Sequence, residues 1–332
     1  MVAQGLLADA RNDSSSGRAS TLRLNPDYGY VVGVEYTAHS IHLKIFSFDG
    51  TLILSSDADV EATTPTELLD NVVSAVKSII KSNGLSEQHL LAVGAVDFGL
   101  IDVNTGVAIQ SSQFTAWHDV NVREQLSSAF SVPVVVVGTA QARLKAVDRL
   151  EFCGKYNDII LLEYGAGIAC GIKSGGNIVF GSRGMAGELG HTHVIGAEEP
   201  CTCGSIGCLE AVAALPALSR QTGQDGLKVL ADAKAEDKLA MRYVHVAFER
   251  IGTALGNLVN VLNPDIVVLD PLLAEAGNLA LAGLRRAMVQ QMMPPHAEQL
   301  KVVVSTLPSP VPPVGGALFA LDRASEEATK NR

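Results

Sequence analysis

Apolar and polar residues follow two successive sets of patterns along this chain. Tyr30-Val31-Val32-Gly33-Val34 is a continuous apolar run, the mark of a buried strand. Ile41, Leu43 and Ile45 then alternate with His42 and Lys44, the period of a half-buried strand. Asp49-Gly50 is a hairpin turn signal and Leu52-Ile53-Leu54 follows it. Thr64-Pro65-Thr66-Glu67 combines a capping box with proline at the first helical position. Leu68, Leu69, Val72, Val73, Val76, Ile79 and Ile80 give the helix behind it one apolar face, and Gly84 closes it. Leu91 to Val96 reads as the next strand, Val122 to Phe130 as a helix, and Val134 to Val137 as a strand covered on both faces.

The pattern then restarts. Ile159 to Leu162 opens a second set, a glycine turn follows at Gly165-Ala166-Gly167, and Ile172 with Ile178-Val179 predicts hairpin strands. The longest helix is expected over Lys238 to Leu262, where Val244, Phe248, Ile251, Leu255, Leu258 and Leu262 recur at spacings of four and three. Asn263-Pro264 ends it before the buried strand Ile266 to Leu269. Val302 to Val304 is a last strand, and a final helix is expected from Gly315. The fold class is therefore α/β, in two strand-rich units with a cleft between them.

Composition narrows the picture. A chain of 332 residues exceeds one ordinary core and predicts two lobes. No apolar run reaches a membrane span, and the start lacks the regions of a signal peptide, so a cytoplasmic location is expected. A net charge of -10 argues against general attraction to nucleic acid or an anionic membrane. Residues 9 to 22 are polar, serine-rich and non-periodic, which reads as a linker.

Five cysteines do not make a disulfide framework in a chain of this size, but three of them fall within eight positions. His191, Cys201, Cys203 and Cys208 form a Cys3His set that suits a closed, tetrahedral structural zinc. Free thiols or a redox pair are the alternatives on spacing alone, and His193 competes as a ligand. Cys153 and Cys170 read as small core residues.

The stretch Gly187-Glu188-Leu189-Gly190-His191 through Cys201-Thr202-Cys203-Gly204-Ser205-Ile206-Gly207-Cys208-Leu209-Glu210 resembles the signature of the ROK family, the repressors, open reading frames and sugar kinases. Val32-Gly33-Val34-Glu35, Val93 to Asp102, Trp117-His118-Asp119-Val120, Gly165 to Gly171, Asn263-Pro264-Asp265 and Gly315-Gly316-Ala317 extend the resemblance over nearly the whole chain. It implies a two-lobed actin-like (ribonuclease H-like) ATPase/sugar-kinase fold with a zinc-containing loop and a sugar in the interlobe cleft. By the same resemblance Glu188, His191 and Glu210 contact sugar hydroxyls, and His191 joins metal to sugar through its two ring nitrogens.

The kinase side of the resemblance is broken. Family kinases read Asp-(apolar)-Gly-Gly-Thr after the first strand, where backbone N–H groups approach ATP phosphates; here the residues are Glu35-Tyr36-Thr37-Ala38-His39. The family's Asn-Asp-Ala-Asn is Gly138-Thr139-Ala140-Gln141, so Thr139 stands where the catalytic base belongs and at most contributes a sugar contact. A Gly-Gly pair becomes Asp270-Pro271. No ATP is expected and the chain is read as no enzyme.

Gly17-Arg18-Ala19-Ser20 resembles the linker behind the repressors' winged helix-turn-helix, and Gln4-Gly5-Leu6-Leu7 the start of its wing, yet a whole helix-turn-helix does not fit within residues 1–22. The expected organisation is residues 1–22 as the linker remnant of a DNA-binding domain, 23–137 as an N-terminal lobe onto which helix 311–332 packs back, and 138–310 as a C-terminal lobe with the zinc motif and an oligomerisation surface. The function expected is the effector domain of a sugar-responsive repressor, binding a sugar or phosphosugar. Operator DNA would be reached only through a domain outside this chain, and a homodimer or homotetramer is expected. A glucokinase-like enzyme and a free-standing sugar sensor are the other readings.

Overall fold

The computed structural model describes residues 6–9 and 22–330, so residues 10–21 of the linker expected over 9–22 lie outside the described residues, while its ends Asp9 and Leu22 fall in strands. The chain divides into two compact units, 1–146 with 309–332, and 147–308. This division falls inside a helix, between Ala146 and Val147, later than the strand end at 137/138 expected from the sequence.

The first unit opens with a hairpin of β1 (Leu7–Asp9) and β2 (Leu22–Leu24). Its main sheet uses β3 (Tyr30–Tyr36), β4 (Ser40–Ser47) and β5 (Leu52–Asp59). Helix α1 (Pro65–Ser82) then buries Leu68, Leu69, Val72, Val76, Ile79 and Ile80. Thr64 Oγ1 accepts the Glu67 N–H, but the Glu67 carboxylate returns to the N–H and hydroxyl of Thr63. The predicted capping box is thus shifted by one residue on its return arm. The chain continues through β6 (Leu90–Asp97), the small sheet of β7 (Leu100–Asp102), β8 (Val107–Gln110) and β9 (His118–Asn121), then α2 (Val122–Phe130), β10 (Val134–Gly138) and α3 (Thr139–Leu150). The main sheet has the order β10-β6-β3-β4-β5, with β10, β6 and β3 parallel.

The second unit repeats that plan. Strands β11 (Ile159–Tyr164), β12 (Ile168–Ser174) and β13 (Asn177–Ile178) form a meander. Three short helices follow, α4 (Leu209–Ala213), α5 (Leu215–Thr222) and α6 (Gly226–Lys234), and then α7 (Lys238–Leu262). After it come β14 (Ile266–Leu269), α8 (Asn278–Gln291), α9 (Pro294–Gln299) and β15 (Lys301–Val304). The strand order is β13-β12-β11-β14-β15. Counted within each unit, both sheets read 3-2-1-4-5, three parallel strands flanked by an antiparallel hairpin. In α7 the buried stripe runs Val244, Phe248, Ile251, Leu255 and Val259, while the predicted Leu258 and Leu262 are only half-buried. A 3.6-residue repeat drifts off a strict four-three alternation over so long a helix.

Helix α10 (Pro312–Lys330) starts three residues before the expected Gly315 and belongs to the first unit. Prolines are tolerated in a first helical turn because those N–H groups have no intrahelical partner. Its glycines meet the sheet at backbone distance. A Cβ on Gly94 of β6 would lie 1.8 Å from the Gly316 carbonyl oxygen, so no side chain fits between strand and helix. Among the described residues no helix is long and apolar enough to cross a membrane.

Candidate metal centre and ligand-binding edge

The loop from Gly187 to Cys208 is fastened to the second unit's sheet at its first residue. The Cys170 N–H of β12 donates to the Gly187 carbonyl at 2.7 Å. Gly187 has φ +102°, and a Cβ there would stand 1.9 Å from the Cys170 carbonyl oxygen, so only glycine is accommodated. A short 3-10 turn, Leu189–His191, then buries Leu189 and presents His191. Isolated antiparallel bridges pair His193 with Cys208 and Pro200 with Ile206. A tight turn, Cys201 N–H to the Ser205 carbonyl and Gly204 N–H to the Cys201 carbonyl, folds Cys201 and Cys203 toward Cys208, which caps α4.

The donor atoms of His191, Cys201, Cys203 and Cys208 all lie within 4.8 Å of one another, and together they can hold one metal ion. Cys203 Sγ is 3.7 Å from Cys208 Sγ, and Cys201 Sγ is 3.7 Å from His191 Nδ1. A tetrahedral ion with thiolate bonds of about 2.3 Å spaces its sulfurs roughly 3.8 Å apart, so these two pairs already stand at bonding separation. The sulfur separation also shows that Cys203 and Cys208 are not disulfide-bonded. Burial, with the neighbouring Cys203 and Cys201, holds the Cys208 thiol well above its ordinary value, a penalty that a coordinated cation would reverse. His193 is not part of the set, for its Nδ1 faces the Ile206 carbonyl oxygen at 3.2 Å.

With Nδ1 turned to the thiols, His191 Nε2 points to Glu188, 3.9 Å from its Oε2 and beyond direct hydrogen-bonding reach. Burial raises the Glu188 pKa, His191 opposes that, and the nearby Glu210 carboxylate adds to it. Glu210, in the first turn of α4, accepts the Ile168 N–H at 3.1 Å and lies over Gly167, where a Cβ would stand 2.6 Å from its Oε2. Gly167 therefore makes room for Glu210. The second unit thus brings Glu188, His191 and Glu210 together beside the thiols, whereas Thr139 opens α3 in the other unit.

At the carboxyl edge of the first unit's sheet, β3, β6 and β10 end at Tyr36, Asp97 and Gly138. The turn after β3 uses its amides internally. Thr37 N–H donates to the Ser40 carbonyl, and the N–H groups of His39 and Ser40 both donate to Thr37 Oγ1. Asp97 is a residue that sequence reasoning did not single out. It is fully buried and accepts from Tyr36, Trp117 and the Gly99 amide. The available signal was a lone carboxylate closing the apolar run Leu90 to Val96. In the second unit, Asp270 is also buried and caps a 3-10 turn through the Leu272 N–H.

Two α/β units of one strand order, with a thiol-imidazole cluster beside two glutamates, match the actin-like fold that sugar kinases share. The model of the ROK family matches residues 31–323, and the chain belongs to that family. It is 25% identical over 329 residues to a xylose repressor of Caldicellulosiruptor bescii, covering 92% of this chain and 82% of that protein. It is 28% identical over 313 residues to a glucokinase of Halalkalibacterium halodurans, covering 86% and 93%. A crystal structure of a ROK family transcriptional regulator, a homologue of the E. coli MLC protein, superposes with a TM-score of 0.84 at 19% identity over 97% of this chain and 86% of that one.

Proposed function

We propose that this chain is the effector part of a ROK-type transcriptional regulator, which binds a sugar beside a structural zinc and does not phosphorylate it. The observation that carries the reading is the contrast between the two ligand edges. On the sugar side Glu188, His191 and Glu210 stand together around the Cys3His cluster. Glu188 Oε2 and His191 Nε2 are separated by a gap that one sugar hydroxyl can bridge, donating to the carboxylate and accepting from the imidazole. Zinc suits three thiolates and one imidazole in a closed set, and it would supply rigidity to this wall of the site and not an open coordination position.

The phosphate side has lost its chemistry. Phosphate binding needs free amides at a close-packed glycine turn, and in the Thr37–Ser40 turn three amides are already bonded within the turn. Thr139 stands at the start of α3, where a hydroxyl cannot act as general base near neutral pH. Asp270 adds a buried carboxylate, which an ATP phosphate would not favour.

The hairpin of β1 and β2 has the form of a wing, and it supports the regulator reading over the kinase one. Operator binding would then need a helix-turn-helix besides the residues of this chain, and sugar binding would act on it through a homo-oligomer. A coupled ADP-release assay with Mg·ATP and a panel of D-xylose, D-glucose and N-acetyl-D-glucosamine tests the point. No turnover above background is expected. Sugar-dependent ATP consumption at rates of order 1 per second or more would return the chain to the kinases.

A further inference from the structure

Asp97 is a fully buried carboxylate that neither the metal cluster nor the sugar-side glutamates employ. It ends β6 in the middle of the first unit's carboxyl edge, and in open α/β sheets ligands bind outside that edge. On one side it pairs in register with Gly138, the residue before Thr139. On the other, Tyr36 closes β3 and donates its hydroxyl to Asp97 Oδ2 at 2.7 Å. Two further donors come from the segment that follows. Gly99 N–H reaches Oδ1 at 2.7 Å, and Trp117 Nε1 reaches both oxygens at 3.1 and 3.2 Å.

One carboxylate therefore joins the end of β3, the β6–β7 junction and the loop before β9. The joined loop carries aromatic surface. Trp117, the one tryptophan of the chain, is fully buried and packs 5.4 Å from Phe98 and 6.1 Å from Phe114 between ring centroids, both of which are half-buried. Core filling does not need a charge here, because a buried carboxylate is costly and an apolar side chain would occupy the same volume. Burial moves the Asp97 pKa up to about 6 although Tyr36, Gly99 and Trp117 all act to lower it. Strongly perturbed groups of this kind cluster at functional sites.

We propose that Asp97 is a positioning residue of a sugar-binding edge on the first unit itself: its carboxylate staples the segment 98–117 to the end of β3 and so sets Phe98 and Phe114 beside the edge on which Thr139 stands. The proposal rests on the sugar-sensor reading above. Of the groups that bond to Asp97, the titratable one is Tyr36, on β3, and its own ionisation is pushed far up by burial and by Asp97. The loop contributes Trp117 and the Gly99 amide, β10 contributes Gly138, and among the described residues no charged group shifts the Asp97 pKa.

Asp97→Asn tests this while keeping the shape. The amide oxygen still accepts from Gly99 and Trp117, but the new NH2 cannot accept the Tyr36 hydroxyl proton, so the bond that ties the segment to the end of β3 is lost. The variant is expected to resist urea at pH 7 at least as well as the wild type, and yet to bind the aldose of the panel with the largest heat at least tenfold more weakly. Trp117 emission is expected to titrate near pH 6 in the wild type and to stay flat in Asp97→Asn. Trp117→Phe, which keeps a ring and removes the N–H, is expected to weaken sugar binding in the same direction. Equal sugar affinity of Asp97→Asn and wild type would overturn the proposal and leave the sensor reading intact. A loss of affinity that simply tracks a loss of stability would also overturn it. If the wild type binds no aldose of the panel, both readings fall together.

Discussion

Cys203 offers the most direct test among single residues. It stands 3.7 Å from Cys208 in a cluster of four donors, and serine in its place cannot supply the thiolate. Cys203→Ser is expected to lower bound zinc from about one per chain to near zero and to cost ~2–4 kcal/mol, read as a drop in Tm of about 5–15 °C. A chelator applied to the wild type should give a similar drop. A variant as stable as the wild type, in protein that carries no zinc, would remove the metal from the account.

Asp97 makes a second prediction at this scale, and its direction follows from proton linkage. Its pKa is raised in the folded protein, from 3.8 to about 6, so the folded state holds this proton more tightly than the unfolded chain does. The associated stability is fully present below about pH 4 and is lost as pH rises through 6. Relative to Asp97→Asn, the wild type should lose ~3 kcal/mol between pH 4 and pH 7. Urea melts of both proteins across that range measure it. A constant difference would mean that Asp97 does not carry its proton in this way.

At the scale of elements, α10 and β6 meet through glycine. With the Gly316 carbonyl 1.8 Å from where a Gly94 Cβ would stand, the obstacle is backbone and cannot turn aside. Gly94→Ala is therefore expected to destabilise the protein by more than about 2 kcal/mol, checked by chemical denaturation, whereas Gly84→Ala tests a different cost. There the space is open but φ is +67°, and about 1 kcal/mol is expected from backbone strain alone.

Elements with strong periodicity were legible in the sequence. The β3 and β6 runs, the capped α1 and the long α7 stand where their patterns placed them, because each buries one continuous stripe or both faces of a strand. Helices α3 and α8 were not predicted. α3 begins at Thr139, inside the stretch Gly138-Thr139-Ala140-Gln141 read for its lost kinase chemistry, and α8 packs through small residues such as Gly283 and Ala287 that leave a weak apolar signal. The metal cluster was visible because cysteine spacing is rare and specific. Asp97 was not, because its partners Tyr36 and Trp117 lie 61 and 20 residues away in sequence, and only the strand order makes them neighbours.

For the whole molecule, the repeated 3-2-1-4-5 sheet gives each unit a carboxyl edge of its own, so the proposed sensor would need only one of the two to stay competent for ligand. Each unit holds its own edge on its own core, so the glutamates beside the thiols do not depend on the turn after β3 for their packing. A regulator can therefore keep its sugar contacts while its phosphate contacts decay, which fits a family that holds both repressors and glucokinases. The measurement that bears most directly on this is isothermal titration calorimetry of the zinc-loaded protein with the aldose panel and, separately, with Mg·ATP. One aldose is expected to bind with a stoichiometry near one per chain and to lose that heat in Glu188→Gln, while Mg·ATP gives none. Heat from Mg·ATP, or no heat from any sugar, would contradict the account.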